Sequence, residues 1–277
     1  MILLEKPADD SVVTLQACMS GIRKLDAKPR FLSYEQGLLE EVKDFEDACS
    51  LGEHRAFTSK PFTKGLKKDM IWLYDNRLLK AVAARPIYDR LILLAPRRVC
   101  PICHLAIADT LDHCLPKSSH PRLAVTPLNL VPSCSACNLS KSTESSGGVN
   151  LYLDGWIDQE LWLEAKVSDP RLPESVEFFV GHPGRWSNEQ QNAVVATFDS
   201  CNLAERYAVC AASEFRSAIF GIQKVLRAGT MDDVNDVLSD AVESAAADRI
   251  NGWKHAAYRA WLSVVDEIPW LGEDGGS

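Results

Sequence analysis

Two Cys-x-x-Cys pairs, Cys100-Pro-Ile-Cys103 and Cys134-Ser-Ala-Cys137, stand 30 residues apart. Thiolates at that spacing supply the four soft ligands of a tetrahedral structural zinc. Two residues between paired cysteines let a tight knuckle present both sulfurs to one ion, and the closed loop then needs little core of its own. The competing reading, free thiols or a redox dithiol, asks for one pair and leaves the second without a role. Between the pairs lie Asp112-His113 and Asn129, and Asn138 directly follows Cys137. Carboxylate and amide oxygens suit a hard Mg²⁺ ion, and an imidazole with an ordinary pKa of about 6.5 is a competent base. Those are the parts that phosphodiester hydrolysis requires: a deprotonated water, a cation for the phosphate charge, and in-line geometry.

The order of these residues is also specific. Thr110-Leu-Asp112-His113-Cys114-Leu-Pro116-Lys117 is followed by Pro127-Leu-Asn129-Leu-Val-Pro132 and then by Cys134-Ser-Ala-Cys137-Asn138-Leu-Ser-Lys141. Over about 45 residues this resembles the HNH (ββα-metal) endonuclease superfamily in its four-cysteine form, with Asn138 where the last histidine of the name would stand. The resemblance implies a small ββα-metal core stapled by a four-cysteine zinc, with a catalytic Mg²⁺ or Mn²⁺ at Asp112 and Asn138. It implies His113 as general base, Asn129 in the loop between the strands as its orienter, and products that carry 5'-phosphates. His113 and Asp112 are neighbours on an extended segment and so face opposite sides of it. A helix from about Ser135 to Ser142 would carry Asn138 and Lys141, and Lys117 and Lys141 would contact flanking phosphates of DNA, with RNA the open alternative. Residues 111–142, the helix before them and a helical tail holding Trp253, Tyr258 and Trp261 are similar to the HNH nuclease subunit of Septu-type anti-phage defence systems. That subunit works with an ATPase partner, so an effector role and an ATPase subunit are expected here. The first 85 residues have no counterpart in that resemblance.

A second function class uses the same cysteines: a non-catalytic zinc-stabilised module that binds nucleic acid or a protein. Such a module needs the thiolates but not Asp112, His113, Asn129 and Asn138 together. Cys114 lacks a partner at knuckle spacing and reads as packing, as do Cys18, Cys49, Cys201 and Cys210. His104 and His120 fit no position of the motif and read as surface residues.

The elements that must position these groups are mainly helical. Leu66–Ala84 carries Met70, Leu73, Tyr74, Leu78 and Val82 on one face, and Arg55–Lys80 holds seven Lys/Arg against two Asp, a candidate nucleic-acid contact or a solvated face. Pro86 starts a helix over Ile87–Leu94. The small polar run 142–148 reads as a loop. Val176–Val180 is a strand candidate, and Ser187 with Gln190 forms a capping box. Asn202 caps a helix to Arg227, Thr230 one to about Ile250, and a last helix spans Trp253–Val265. The expected organisation is a helical N-terminal extension over 1–85, the HNH domain over 86–148, and a mostly helical acidic region over 149–277.

At 277 residues and 46% apolar content the chain can bury a full core. The net charge is -8, which is unusual for a protein meeting a polyanion, yet it is unevenly spread. Residues 1–96, 97–141 and 142–277 carry +1, +3 and -12, so the motif sits in the one basic window, and the acidic C-terminal part suits a protein partner better than nucleic acid. No apolar run approaches the roughly 18 residues of a membrane span, and the N-terminal MILLEKPADD has no secretory pattern, so a cytoplasmic protein is expected.

Overall fold

The computed structural model describes residues 1–22, 27–140 and 147–272. The described residues are mainly helical with two small two-stranded sheets. It divides into two compact units, one of Ile2–Gly155 and one of Trp156–Ser277 with Met1.

In the first unit, α1 (Ser11–Met19) begins where the Asp10 carboxylate accepts from the Val13 amide. After it come α2 (Ala27–Leu51) and α3 (Lys64–Leu73), whose Thr63 cap accepts from Leu66 N. Where periodicity suggests one helix to Ala84, the α-helix stops at Leu73 and a π turn runs over Tyr74–Leu78. One extra residue in that turn rotates the next stretch of chain by about 100°. Pro86 occupies the first turn of α4 (Arg85–Leu93), as its fixed φ favours.

The strands β1 (Thr110–His113) and β2 (Leu130–Ser133) pair antiparallel, with Thr110 opposite Ser133 and His113 opposite Leu130. Directly after β2 comes α5 (Ser135–Ser140); the expected Lys141 lies outside the described residues. Leu111 and Leu130 of the hairpin share one buried cluster with Leu15, Phe31, Leu38, Met70 and Leu91 from the four preceding helices. Each such side chain contributes about 2 kcal/mol by leaving water. Through this common core the N-terminal helices form the floor of the hairpin within the unit Ile2–Gly155.

The second unit pairs β3 (Leu163–Val167) with β4 (Val176–Val180) and packs them with α6 (Asn188–Ser200), α7 (Leu203–Ala228), α8 (Met231–Asp248) and α9 (Trp253–Leu262), ahead of a last turn, α10 (Pro269–Gly272). Among the described residues its largest fully buried side chains are Trp162, whose backbone amide is held by Asn251, and Trp261, which donates from Nε1 to Pro173 O at 2.8 Å. Capping boxes form at Ser187 with Gln190 and at Thr230 with Asp233. Asn202 does not cap α7: it sits in the left-handed region at φ 49°, and its side chain turns to Glu205. No helix among the described residues is long and apolar enough to cross a membrane.

Candidate functional site

Cys100, Cys103, Cys134 and Cys137 come together, all buried, with their sulfurs within 4.8 Å of one another. Cys103 Sγ and Cys134 Sγ are 3.7 Å apart, close to the edge of about 3.8 Å expected for a tetrahedron with Zn–S of about 2.3 Å. This group could hold a metal ion such as zinc. Hydrogen bonds from the Cys100 and then the Cys103 thiol hold the Cys134 sulfur below the ordinary thiol range. The first knuckle closes through Cys100 N to Ala106 O at 2.8 Å and His104 N to Cys100 O at 2.9 Å. It requires His104 at φ 59°, a conformation costly for a residue with a Cβ, and the half-buried His104 ring returns to Pro101 O at 3.0 Å. The second knuckle joins the end of β2 to α5, with Asn138 N donating to Cys134 O at 3.0 Å.

α5 is tied to β1 at two points. Asp109, just ahead of β1, accepts from Ser135 N at 2.9 Å and from its hydroxyl. One turn later Asn138 Nδ2 donates to Thr110 Oγ1 at 3.0 Å and to Leu111 O at 3.3 Å. A carbonyl only accepts, so the amide nitrogen faces β1 and the amide oxygen Oδ1 is turned away from it. Thr110 and Asp112 are two apart on a strand and share a face; Asp112 therefore lies on the side of β1 that meets α5, and it is buried.

His113 faces the other side. Its Nε2 is 2.9 Å from Ala124 O in the loop between the strands, and because that carbonyl can only accept, Nε2 carries the proton and Nδ1 keeps the lone pair. The ring meets the edge of Tyr74, with centroids 4.6 Å apart, and Tyr74 in turn donates to Leu111 O at 3.0 Å. Burial pulls the His113 imidazole down to about 4, with Lys117 pushing the same way and the Ala124 carbonyl, Asp112 and Asp75 opposing. The ring is thus held neutral at ordinary pH.

Asn129, fully buried, reaches across the hairpin but makes its hydrogen bonds to backbone groups and not to the His113 ring. Its Oδ1 accepts from Leu115 N at 2.8 Å, and its Nδ2 donates to Leu115 O at 3.1 Å and Leu123 O at 3.2 Å. It fixes the loop that in turn supplies the Ala124 carbonyl. Lys117 is neither a simple exposed lysine nor an open phosphate contact: it pairs with Asp75 at 3.0 Å and lies over the Tyr74 ring at 4.4 Å.

One expectation about a nearby histidine changes. His120 is buried, not a surface residue, since its ring spans Ser119 Oγ at 3.0 Å and Phe57 O at 3.3 Å. Within the basic stretch Arg55–Lys80, Arg55 pairs with buried Asp154, Lys60 with Asp44, and Arg77 with the carbonyls of Cys18 and Ser20, while Lys64 and Lys68 stay exposed on α3. Cys114 is half-buried beside Leu115, and its amide donates to Asn129 O at 3.0 Å. Sequence reasoning misses Tyr74, Asp75, Thr110 and the Ala124 carbonyl as neighbours of the site. The π turn that presents Tyr74 and Asp75 has no local marker in the sequence.

No family model matches the chain, and no solved structure matches it. The chain is similar to protein ea31 of Escherichia phage lambda, with 27% identity over 221 residues that cover 74% of this chain and 74% of that protein.

Proposed function

We propose that this chain is a metal-dependent endonuclease of the HNH (ββα-metal) superfamily that hydrolyses phosphodiester bonds in DNA, with His113 as general base. The observation that carries the reading is how three groups are disposed about one strand. Asp112 and His113 occupy opposite faces of β1, and Asn138 is hydrogen-bonded to that same strand with its oxygen turned outward. Asp112 and Asn138 Oδ1 are the hard oxygen donors that would hold Mg²⁺ or Mn²⁺. When bound, that ion supplies charge stabilisation for the scissile phosphate and leaving oxygen.

His113 Nδ1 takes the proton of the attacking water. The Ala124 carbonyl fixes the tautomer that makes this possible, and burial keeps the ring unprotonated over the working range. Asn129 holds the loop. Lys117, already close to the ring, offers positive charge to a flanking phosphate once Asp75 is exchanged for it. The cysteine cluster with zinc holds the hairpin and α5 in register. The acidic second unit, a poor surface for DNA, would face the ATPase partner of an anti-phage system.

The alternative, a zinc module that binds without cleaving, is separated from this reading by one experiment. Zinc-loaded protein is incubated with supercoiled plasmid at low salt, with Mg²⁺ or with EDTA. Cleavage that needs Mg²⁺ and is lost in His113→Ala supports the nuclease. Plasmid retention without cleavage supports the module, and cleavage undiminished in His113→Ala removes His113 from the chemistry.

A further inference from the structure

Three consecutive residues of the loop between β1 and β2 are each held by a different part of the first unit. Ala124 O accepts from His113 Nε2 at 2.9 Å, and Leu123 O accepts from Asn129 Nδ2 at 3.2 Å. Arg122 is held by α2: its Nη1 donates to Glu41 Oε2 at 2.8 Å, and the guanidinium also donates to Lys60 O and Pro61 O, each at 3.0 Å. Glu41 is completely buried and accepts further from the Ser59 hydroxyl and from Lys60 N at 3.2 Å. A carboxylate without exposure is tolerable only when such partners satisfy it. Leu123, between the two anchored residues, packs into an apolar cluster with Val42 and Phe45 of α2. The segment is also stiff, since Pro121 opens a 3-10 turn in which Ala124 N donates to Pro121 O at 3.1 Å. A shift of Arg122 is therefore carried to the Ala124 carbonyl two residues on.

We propose that Glu41 and Arg122 are positioning residues for His113. Through the 121–124 turn they set where the Ala124 carbonyl stands, and so fix the tautomer and the orientation of the imidazole. α2 belongs to the part of the chain that has no counterpart in the HNH resemblance, yet by this path it helps to build the base. The catalytic consequence rests on the nuclease reading, whereas the orientation of the ring does not.

The test uses the full-length zinc-loaded chain with ¹⁵N-labelled histidine. In the wild type the His113 ring should be protonated at Nε2 and not at Nδ1. The double variant Glu41→Met/Arg122→Met removes both charges without leaving one orphaned. In it, the His113 signals should turn to a mixture of tautomers while zinc content is unchanged. DNA turnover should fall about tenfold to a hundredfold with KM within about twofold, the cost of a base displaced by an ångström or less. Arg122→Lys, which keeps the charge opposite Glu41, should recover part of both signals.

A wild-type ring protonated at Nδ1, or a double variant that keeps the Nε2 tautomer and full turnover, overturns the proposal. If the double variant does not fold, the wild-type tautomer and Arg122→Lys decide the matter. A tautomer shift in a protein that cleaves no DNA under any condition rejects the nuclease reading and leaves the positioning intact.

Discussion

Replacing Asn129 with alanine removes an amide that is fully buried and makes three hydrogen bonds at 2.8, 3.1 and 3.2 Å. All three partners are backbone groups of Leu115 and Leu123, themselves buried, so no water stands ready to replace the lost contacts. An unsatisfied buried polar group costs about 1 to 3 kcal/mol. Taking the low end for each of the three partners gives a loss of about 3 kcal/mol, a large share of the roughly 5 to 15 kcal/mol that holds an ordinary domain. Asn129→Asp should be worse than alanine, because it turns a carboxylate oxygen towards two carbonyls that now accept from Nδ2. Urea unfolding of zinc-loaded protein measures both differences through the midpoint and slope. A loss below about 1 kcal/mol for Asn129→Ala would refute the claim that this side chain holds the loop between the strands.

The same geometry sets several other outcomes. One zinc per chain should be found by elemental analysis, and Cys137→Ser should lower that occupancy and expose the hairpin to proteolysis; full zinc in the variant would contradict the four-sulfur site. His113, held at about 4 in the folded chain against about 6.5 unfolded, binds its proton more readily when unfolded. The stability tied to its neutral form is complete above about pH 6.5 and is lost as pH falls towards 4, up to about 3 kcal/mol. The wild type should thus lose about 2 kcal/mol more than His113→Gln between about pH 6.5 and 4.5, and equal losses would contradict the neutral, half-buried ring. Tyr74→Phe should cost about 1 kcal/mol through the lost bond to Leu111 O; no change in the unfolding midpoint would count against that contact.

The features legible in the chain are the local ones. The two Cys-x-x-Cys pairs declare themselves by spacing, and the cluster they form is compact enough for a metal. The Ser187 and Thr230 caps and the Val176–Val180 strand are likewise written in four or five adjacent residues. Contacts across long separations are not legible. Arg122 and Glu41 are 81 residues apart and Tyr74 and Leu111 are 37 apart, and nothing in either local sequence names the other. Periodicity cannot show the π turn, because Tyr74 and Leu78 remain apolar in either geometry. β3 escapes notice since Leu163-Glu-Ala-Lys-Val buries only its ends. A charge count over Arg55–Lys80 likewise cannot show that Arg55 and Lys60 turn to Asp154 and Asp44 while Lys64 and Lys68 stay exposed. His120 reads as surface for the same reason: its partners, Ser119 and Phe57, include one that is 63 residues away.

The most direct test of His113 as general base is single-turnover cleavage of a DNA duplex by His113→Ala with and without added imidazole. The expected result is a fall of about 10² to 10⁴ in rate, recovered in part as imidazole fills the space of the missing ring, with Asp112→Ala inactive and not rescued. A His113→Ala protein that cleaves as fast as wild type, or whose loss imidazole leaves untouched while zinc and fold are intact, would contradict it.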